Sequence, residues 1–537
     1  MKYTKLTTVA LAVAVSVASL SSCTRNFQDI NTNPQLPNDE MLSRDGVLNG
    51  AYMPELQKQI VPTAVAGGTD EANDYQVAYN LMTDSWMGYV APKDAKWTGR
   101  NLTQFYFDTG WTNGSFGLGT TKVFVPWTQI KKLAHDGVNK NDQIWSIAQI
   151  SKILAMHRTA DRYGAIPYSS VGSGSFVVPY DAQEDVYKSF FAELDEAINT
   201  LYTYSLNTPI VARASDIIYD GDALKWAKLG NSLMLRLAMR VRYVDANLSR
   251  TWAEKAMTHA AGLIENVEDI AVLDHKAGIT TRNSLHIVAN SYDDTRMGAS
   301  IYSFMKGYAD PRLSKYFTGN LDFAVPPAIP STAGDYAGAA KPLVEEYSPT
   351  YIFKASEVAF LKAEAALAGY NTNGGTPKSH YENGIRLSFV ENGISESAVA
   401  GYLSSTRLPA TFTDKANPKY SAEPTSKVTT AWDNGDSEEV MLEKIITQKY
   451  LAIYPDGQEA WSEWRRTGYP RLLPAHTSIS NFGVVASDGH KNGVRCIPYP
   501  QSELINNATH LQEAVNKHRG GNNTAIVNVW WDVKPKN

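Results

Sequence analysis

The feature that most constrains the fold of this chain is its hydrophobic periodicity. Four pairs of segments show the pattern of amphipathic helices. In residues 143–162 the apolar side chains of Ile144, Ile147, Ile150 and Leu154 recur near one face of a helix. The same pattern repeats along the chain, and the pairs lie at about 143–202, 222–265, 355–392 and 437–466. The sequence therefore predicts a mainly α-helical scaffold.

The flanks of these segments carry helix-boundary signals. Asp222 is suited to cap the start of one helix, and Gly164 and Gly369 are suited to end two others. Four pairs of similar size with uneven spacing indicate a degenerate repeat that resembles tetratricopeptide repeats. The basic residues Lys225, Lys228, Arg236 and Arg240 share a segment, and we expect them to form a solvated or salt-bridged face.

Long stretches without helical periodicity separate the pairs. These loop-rich insertions are predicted at 91–126, 266–350 and 401–436, and the run GSFGLG at 114–119 is predicted to be a flexible loop. Loops of this length in a compact protein are usually functional or disordered. A rigid scaffold with long aromatic loops is typical of binding proteins.

The N-terminus has the pattern of an export signal. Lys2 and Lys5 precede an apolar run that is too short for a confident membrane span, which predicts a signal peptide at residues 1–22. The run ends in Leu-Ser-Ser-Cys, the pattern of a bacterial lipobox, so Cys23 is the predicted site of lipidation. A lipidated tether is expected at 23–40, followed by a single domain at 41–537.

Composition and motifs argue against several function classes. The net charge of −5 disfavours nucleic acid as a partner. No His is followed by Glu, no Gly-Lys dipeptide occurs, and two cysteines are too few for a zinc knuckle. We therefore expect no enzyme, no catalytic residues, no cofactor and no metal. Cys496 is expected to be a buried filler. The acidic pairs Asp293-Asp294 and Glu345-Glu346 leave a glycoside hydrolase as a weak alternative.

Several segments together resemble one protein family. They are FQDINTNP at 27–34, DIIYDGDALKWAKLGNSLMLRLAMRV at 216–241, SEVAFLKAEAALAGY at 356–370, YLAIYPDGQEAWSEWRRTGYPRL at 450–472 and RCIPYPQSELINN at 495–507. With the lipobox, and in this order, they resemble the SusD/RagB family of nutrient-binding outer-membrane lipoproteins, particularly its SusD-like branch. Within the fourth segment, the turn at 454–457 and the pair Arg465-Arg466 are predicted to be structural, the arginines satisfying buried acids or carbonyls.

The resemblance implies a fold, a partner and a ligand. The fold is a scaffold of tetratricopeptide-like helix pairs with a loop-rich, irregular, ligand-facing subdomain. The partner is a SusC-like TonB-dependent outer-membrane barrel, and the ligand is an oligosaccharide or a peptide. The protein would be anchored to the outer membrane through its lipid and would face the cell surface.

Candidate ligand-binding residues are aromatic and polar side chains in the irregular stretches. They are Trp97, Tyr106, Trp111, Tyr292, Asp293 and Arg296. Aromatic faces stack on the apolar face of a sugar, and Asp and Arg bind its hydroxyls. The preferred function is capture of oligosaccharides for import. A peptide-binding subunit of the same kind of importer and a structural or fimbrial surface lipoprotein are alternatives.

Overall fold

A computed structural model describes residues 47–94, 101–175, 177–274, 279–330 and 334–536. The predicted signal peptide, the predicted lipidation site Cys23, the tether and Trp97 lie outside the described residues. The chain divides into two units, Met1–Leu48 and Asn49–Asn537. Only residues 47 and 48 of the first unit are described, and the fold below is that of the second.

Helices make up most of the regular structure. The α-helices α1 to α19 are, in order, Val47–Gly50, Met53–Lys58, Asp70–Tyr75, Thr109–Gly119, Thr121–Ile130, Asp142–Tyr163, Gln183–Ser205, Ala223–Arg240, Ala246–Thr258, Ser284–His286, Ala299–Gly307, Leu313–Tyr316, Ala355–Leu367, Pro377–Glu391, Ser397–Leu403, Glu438–Ala452, Gly457–Thr467, Gln501–Asn506 and Ala508–His518. Wider π-helical turns lie at Gln76–Asp84, Lys131–His135 and Ile287–Ser291, and short 3₁₀ turns at Leu102–Gln104, Arg213–Ser215, Val267–Asp269 and Pro418–Tyr420.

The strands are short and pair in twos. They are β1 (Ala64–Val65), β2 (Val90–Pro92), β3 (Ala271–Leu273), β4 (Thr281–Arg282), β5 (Thr295–Met297), β6 (Phe317–Thr318), β7 (Lys341–Pro342) and β8 (Thr350–Phe353). The antiparallel ladders are β1 with β4, β2 with β5, β3 with β8, and β6 with β7. Among the described residues, each ladder joins two segments that are far apart in the sequence.

The four predicted helix pairs are confirmed as α6 with α7, α8 with α9, α13 with α14, and α16 with α17. Asp222 caps α8 as predicted, because its carboxylate accepts a hydrogen bond of 3.0 Å from the Lys225 amide. Gly369, in the left-handed region at φ 71°, follows the end of α13. The second pair, predicted at about 222–265, ends earlier than expected, because α9 is observed at Ala246–Thr258.

Buried ion pairs join the helix pairs. Arg236 on α8 makes a two-pronged contact with Glu357 on α13, at 2.8 and 2.6 Å. Arg466 on α17 does the same with Glu364 on α13, at 2.6 and 2.7 Å. The prediction of a solvated or salt-bridged face for Lys225, Lys228, Arg236 and Arg240 is confirmed for Arg236, which is salt-bridged. Arg236 and Arg240 are buried, whereas Lys225 and Lys228 are partly exposed.

Arg240 and the predicted structural pair Arg465-Arg466 complete this network. Arg240 contacts Glu459 at 2.5 Å and also contacts Glu463, both on α17. Arg465 donates to the carbonyl oxygens of Asp161 and Arg495 at 2.7 and 2.8 Å. The prediction that these arginines satisfy buried acids and carbonyls is confirmed.

The prediction of a loop-rich insertion at 91–126 was wrong in its second half, where α4 and α5 lie. The run GSFGLG, predicted as a flexible loop, is the C-terminal part of α4. Asp108 starts this helix by accepting hydrogen bonds from the amides of Gly110 and Trp111, at 2.9 and 3.3 Å. A Cβ at Gly119 would lie 2.2 Å from Oγ1 of Thr159 on α6. Glycine therefore allows α4 to pack closely against α6.

In their described residues, the insertions at 266–350 and 401–436 contain only short elements and irregular chain, as predicted. Cys496 is 1% exposed, lies in the main apolar core and directs its thiol to the Thr524 carbonyl at 3.3 Å, in agreement with the prediction of a buried filler. Within the described part of the chain, every helix is too short or too polar to cross a membrane.

Candidate functional site

The ladder between β2 and β5 brings two of the predicted insertions together. Pro92 pairs with Thr295 and Ala91 pairs with Arg296. The chain that leaves β2 toward residue 97 therefore starts beside the segment that carries Asp293 and Arg296. The first predicted insertion thus meets the second at this ladder.

Asp293 is the centre of a charged group, the Asp293 cluster, which also contains Lys93, Arg296 and Lys341. Its carboxylate contacts the Lys93 ammonium, the Lys341 ammonium at 2.5 Å and the Arg296 guanidinium at 3.0 Å. The backbone of Asp293 is left-handed, with φ 52°, which Asp tolerates better than most residues. Three cations thus converge on one half-buried carboxylate.

These contacts fix the charge of Asp293. Partial burial by itself raises the pKa of the carboxyl, but the hydrogen bonds from Lys341 and Lys93 and the charge of Arg296 outweigh that effect. The pKa of Asp293 is held well below its ordinary value, so the group is a carboxylate at neutral pH. A carboxylate of this kind accepts hydrogen bonds from sugar hydroxyls or peptide amides.

Arg296 is almost fully buried, and it forms hydrogen bonds with backbone carbonyls of the protein. Its guanidinium donates to the carbonyl of Ala337 at 3.2 and 3.1 Å and to its own neighbour, Thr295, at 3.0 Å. It therefore ties the segment around residue 337 to β5. The structure places Arg296 behind Asp293, as a support for the cluster.

Tyr292 lies next to the Asp293 cluster and is half-buried. Its hydroxyl donates a hydrogen bond of 2.9 Å to Asn73 on α3. Its ring packs against a small apolar group that includes Tyr75, Tyr79 and Leu118. This side chain joins α3 to the segment of Asp293.

Tyr106 and Trp111 lie elsewhere. Tyr106 is half-buried between the Leu102–Gln104 turn and α4, and its amide donates to the Asn101 carbonyl at 3.2 Å. Trp111 is in the first turn of α4 and packs against the main core. The structure thus brings Tyr292, Asp293 and Arg296 together, whereas Tyr106 and Trp111 belong to the segment that leads into α4 and to α4 itself.

Sequence reasoning missed Lys93 and Lys341, which complete the Asp293 cluster. Lys93 is 200 residues from Asp293 in the chain, and it becomes a neighbour only through the β2–β5 ladder. The ladder is three residues long, and its sequence has no distinctive alternation. No signal in the sequence points to this contact.

A second concave feature is a cavity of about 270 Å³ lined mainly by apolar and tyrosine side chains. Its walls come from α3 and the following π-helical turn, from residues 343–354 and from residues 453–456. The last of these belong to the turn predicted at 454–457, and Asp456 there caps α17 by accepting from the Glu459 amide at 3.1 Å. Of the predicted ligand residues that the structure describes, none lines this cavity.

Metal chemistry has no support in the described part of the chain. Among residues 47–536, leaving out the undescribed gaps, no group of three or more His, Cys, Asp or Glu side chains is placed to hold a metal ion. Several buried carboxylates, those of Glu357, Glu364 and Glu459, are used instead in ion pairs with Arg and Lys.

Helix pairs that carry long irregular segments with aromatic and charged side chains define a class of helical scaffold protein. The chain matches the sequence model of the family described as SusD-like, "Susd and RagB outer membrane lipoprotein", over residues 29–532. The chain belongs to this family of outer-membrane lipoproteins. No curated protein matches the chain significantly.

Solved structures of the same family superpose on this chain. A chitin-binding SusD homologue from Flavobacterium johnsoniae is 34% identical, with a TM-score of 0.83, and the match covers 91% of this chain and 99% of that one. SusD homologues from Bacteroides uniformis and Bacteroides ovatus are 33% and 31% identical, each with a TM-score of 0.80. Those matches cover 91% of this chain in both cases, and 99% and 100% of the two homologues.

Proposed function

We propose that this protein is a cell-surface lipoprotein that captures oligosaccharides and delivers them to a SusC-like TonB-dependent barrel, without catalysis. The observation that carries the proposal is the family match over residues 29–532. The 34% identity to a chitin-binding homologue over nearly the full length of both chains favours a glycan as the ligand over a peptide. Lipidation at Cys23 would hold the protein to the membrane.

The proposed ligand site is the surface around the Asp293 cluster. The cluster offers a fixed carboxylate beside the lysines Lys93 and Lys341, all of them partly exposed. Trp97 follows β2 in sequence, and we propose it as the aromatic platform for a sugar ring. Tyr292 stands beside the cluster, whereas Tyr106 and Trp111 would form a separate aromatic contact.

Calorimetric titration with oligosaccharides tests the site. We expect Trp97→Ala to abolish measurable binding without lowering the melting temperature, because a stacked aromatic supplies much of the affinity for a sugar. Trp111→Ala tests the second contact in the same way. Trp252→Ala is the matched control, because this tryptophan stacks on Phe191 within the helical scaffold, with ring centroids 5.2 Å apart. Unchanged oligosaccharide affinity in both test variants would contradict the proposed ligand site.

Purification from detergent-solubilised outer membranes through a C-terminal tag tests the transport role. We expect a TonB-dependent barrel to co-elute in near-equimolar amount. Cys23→Ala is the control for the anchor, and we expect it to leave the membrane fraction. A wild-type protein that elutes alone contradicts delivery to a transporter and leaves a free-standing surface lipoprotein.

A further inference from the structure

The cavity of about 270 Å³ contains a buried carboxyl group that lacks a counter-charge. Asp84, at the end of the π-helical turn Gln76–Asp84, is 2% exposed and lines the cavity. It accepts a hydrogen bond of 2.8 Å from the Tyr75 hydroxyl. Among the described residues, no Lys, Arg or His forms a salt bridge with it. A buried carboxylate without a cation is costly, so such groups are normally paired.

The other buried charged groups of the cavity are already paired or hydrogen-bonded, and the remaining charged residue of the lining, Lys315, is exposed to solvent. Arg158 makes a two-pronged contact with Asp456, at 2.8 and 2.6 Å. Glu357 is held by Arg236. The Lys354 ammonium donates to two backbone carbonyls, each at 2.9 Å. Asp84 is therefore the carboxyl of this cavity that a ligand cation would neutralise.

The surroundings of Asp84 leave it poised between its two protonation states. Burial raises its pKa, the nearby Asp456 raises it further, and the hydrogen bonds from Tyr75 and the Gly457 amide and the charge of Arg162 lower it. The net result is a pKa of about 7. A cation that entered the cavity would shift Asp84 to the carboxylate form.

A second polar group in the cavity has no partner. The Tyr454 hydroxyl is buried, with the residue 5% exposed, and no described group forms a hydrogen bond with it. Its ring is fixed by stacking on Tyr316, with centroids 4.6 Å apart. Burial and the neighbouring charge of Asp84 raise the pKa of Tyr454, so its hydroxyl stays neutral and is able to accept a hydrogen bond.

The walls suit an organic cation. Tyr75 and Tyr79 line the cavity on one side, and aromatic rings attract ammonium groups. Tyr351 and Leu343, 38% and 43% exposed, stand at the mouth and provide apolar surface for a carbon skeleton. The volume of about 270 Å³ fits one sugar ring or one or two small amino acids.

We propose that this cavity binds a small organic ligand through a primary ammonium group, which pairs with Asp84 and donates a hydrogen bond to Tyr454. Two sources share this chemistry, an amino sugar and the free amino terminus of a short peptide. None of the four residues of the Asp293 cluster lines this cavity, so the ammonium site is tested independently of the proposed function.

Calorimetric titration at about pH 6, where amino groups are charged, tests the proposal on the wild-type protein. Glucosamine is compared with glucose and N-acetylglucosamine, and Ala-Ala with N-acetyl-Ala-Ala. We expect at least one of the two amines to bind tenfold or more tightly than its neutral counterparts, and the amine that does so identifies the source. Equal affinities for amines and neutral counterparts, or no binding of either amine at 10 mM, overturn the proposal.

Proton release gives a second readout that a merely structural role of Asp84 would not produce. With a pKa of about 7, Asp84 is mostly protonated at pH 6, so binding of an ammonium group releases roughly one proton. Titrations in two buffers with different ionisation heats measure that release. Asp84→Asn should remove both the proton release and the preference for the amine. The surface variant Asp322→Asn should keep both. Amine binding without proton release in the wild type contradicts the assignment of Asp84.

Discussion

Gly457 occupies a position at which no side chain fits. A Cβ there would lie 2.4 Å from Oδ1 of Asp84 and 2.5 and 2.6 Å from its Cα and backbone nitrogen. Because two of these atoms are backbone, the contact cannot be relieved by a rotamer change. The close approach also lets the Gly457 amide donate to the Asp84 carboxylate.

We therefore expect Gly457→Ala to lower the free energy of unfolding by about 1–3 kcal/mol, the usual cost of overpacking a core. Urea denaturation measures it. Gly401→Ala is the control, because Gly401 lies in α15 and a Cβ there meets no atom within 4 Å. That variant should be neutral or slightly stabilising, since alanine is the better helix former. Equal unfolding free energies of the two variants would contradict the predicted collision at Gly457.

At the scale of elements, the Arg236–Glu357 pair is one of the contacts that hold two helix pairs together. It joins α8 to α13, and both side chains are buried. Removing one partner leaves the other charge buried without its closest counter-ion.

Arg236→Met should therefore cost about 3–5 kcal/mol of unfolding free energy, and the double variant Arg236→Met/Glu357→Met should cost less than the sum of the two single changes. A double-mutant cycle by chemical denaturation measures the coupling. An additive cycle would show that the two helices do not depend on this pair.

The elements themselves differ in how far the sequence predicts them. The four helix pairs are predictable because their apolar periodicity is local. The helices α4 and α5 were missed because glycine, threonine and valine, poor helix formers, are frequent at 109–130. Tertiary packing of α4 against α6, made possible by Gly119, outweighs that local preference.

For the molecule as a whole, the sequence predicts the fold class and the family, and much less of the site. Asp293 and Arg296 are close in sequence, and their association was foreseen. Lys93 and Lys341 join them only through tertiary structure. The cavity and Asp84 had no sequence signal, because the residues that line it come from widely separated segments.

The stability of the whole protein should depend on the protonation of Asp84. Its pKa is about 7 in the folded state, against an ordinary value of 3.8 for an aspartate side chain. Below pH 3.8 the group is protonated in both states. Between the two values the folded state holds the proton and the unfolded state releases it, so the contribution of Asp84 to stability is lost as the pH rises toward 7.

Relative to Asp84→Asn, the wild type should therefore lose about 2–3 kcal/mol of unfolding free energy between about pH 5 and pH 8. Urea denaturation of both proteins at the two pH values measures the difference. Parallel pH profiles would show that Asp84 titrates normally.

The β2–β5 ladder has a consequence for how the protein acquires its surface cluster. Lys93 and Asp293 are 200 residues apart, and closing a loop of that length costs about 2–3 kcal/mol more entropy than closing a ten-residue loop. The hydrogen bonds of a three-residue ladder alone offset little of this free-energy cost. We therefore expect the packed helix pairs to bring the two segments near each other before the ladder forms. On that expectation the cluster assembles late and depends on the scaffold, and the loops around it are able to diverge in sequence while the fold persists.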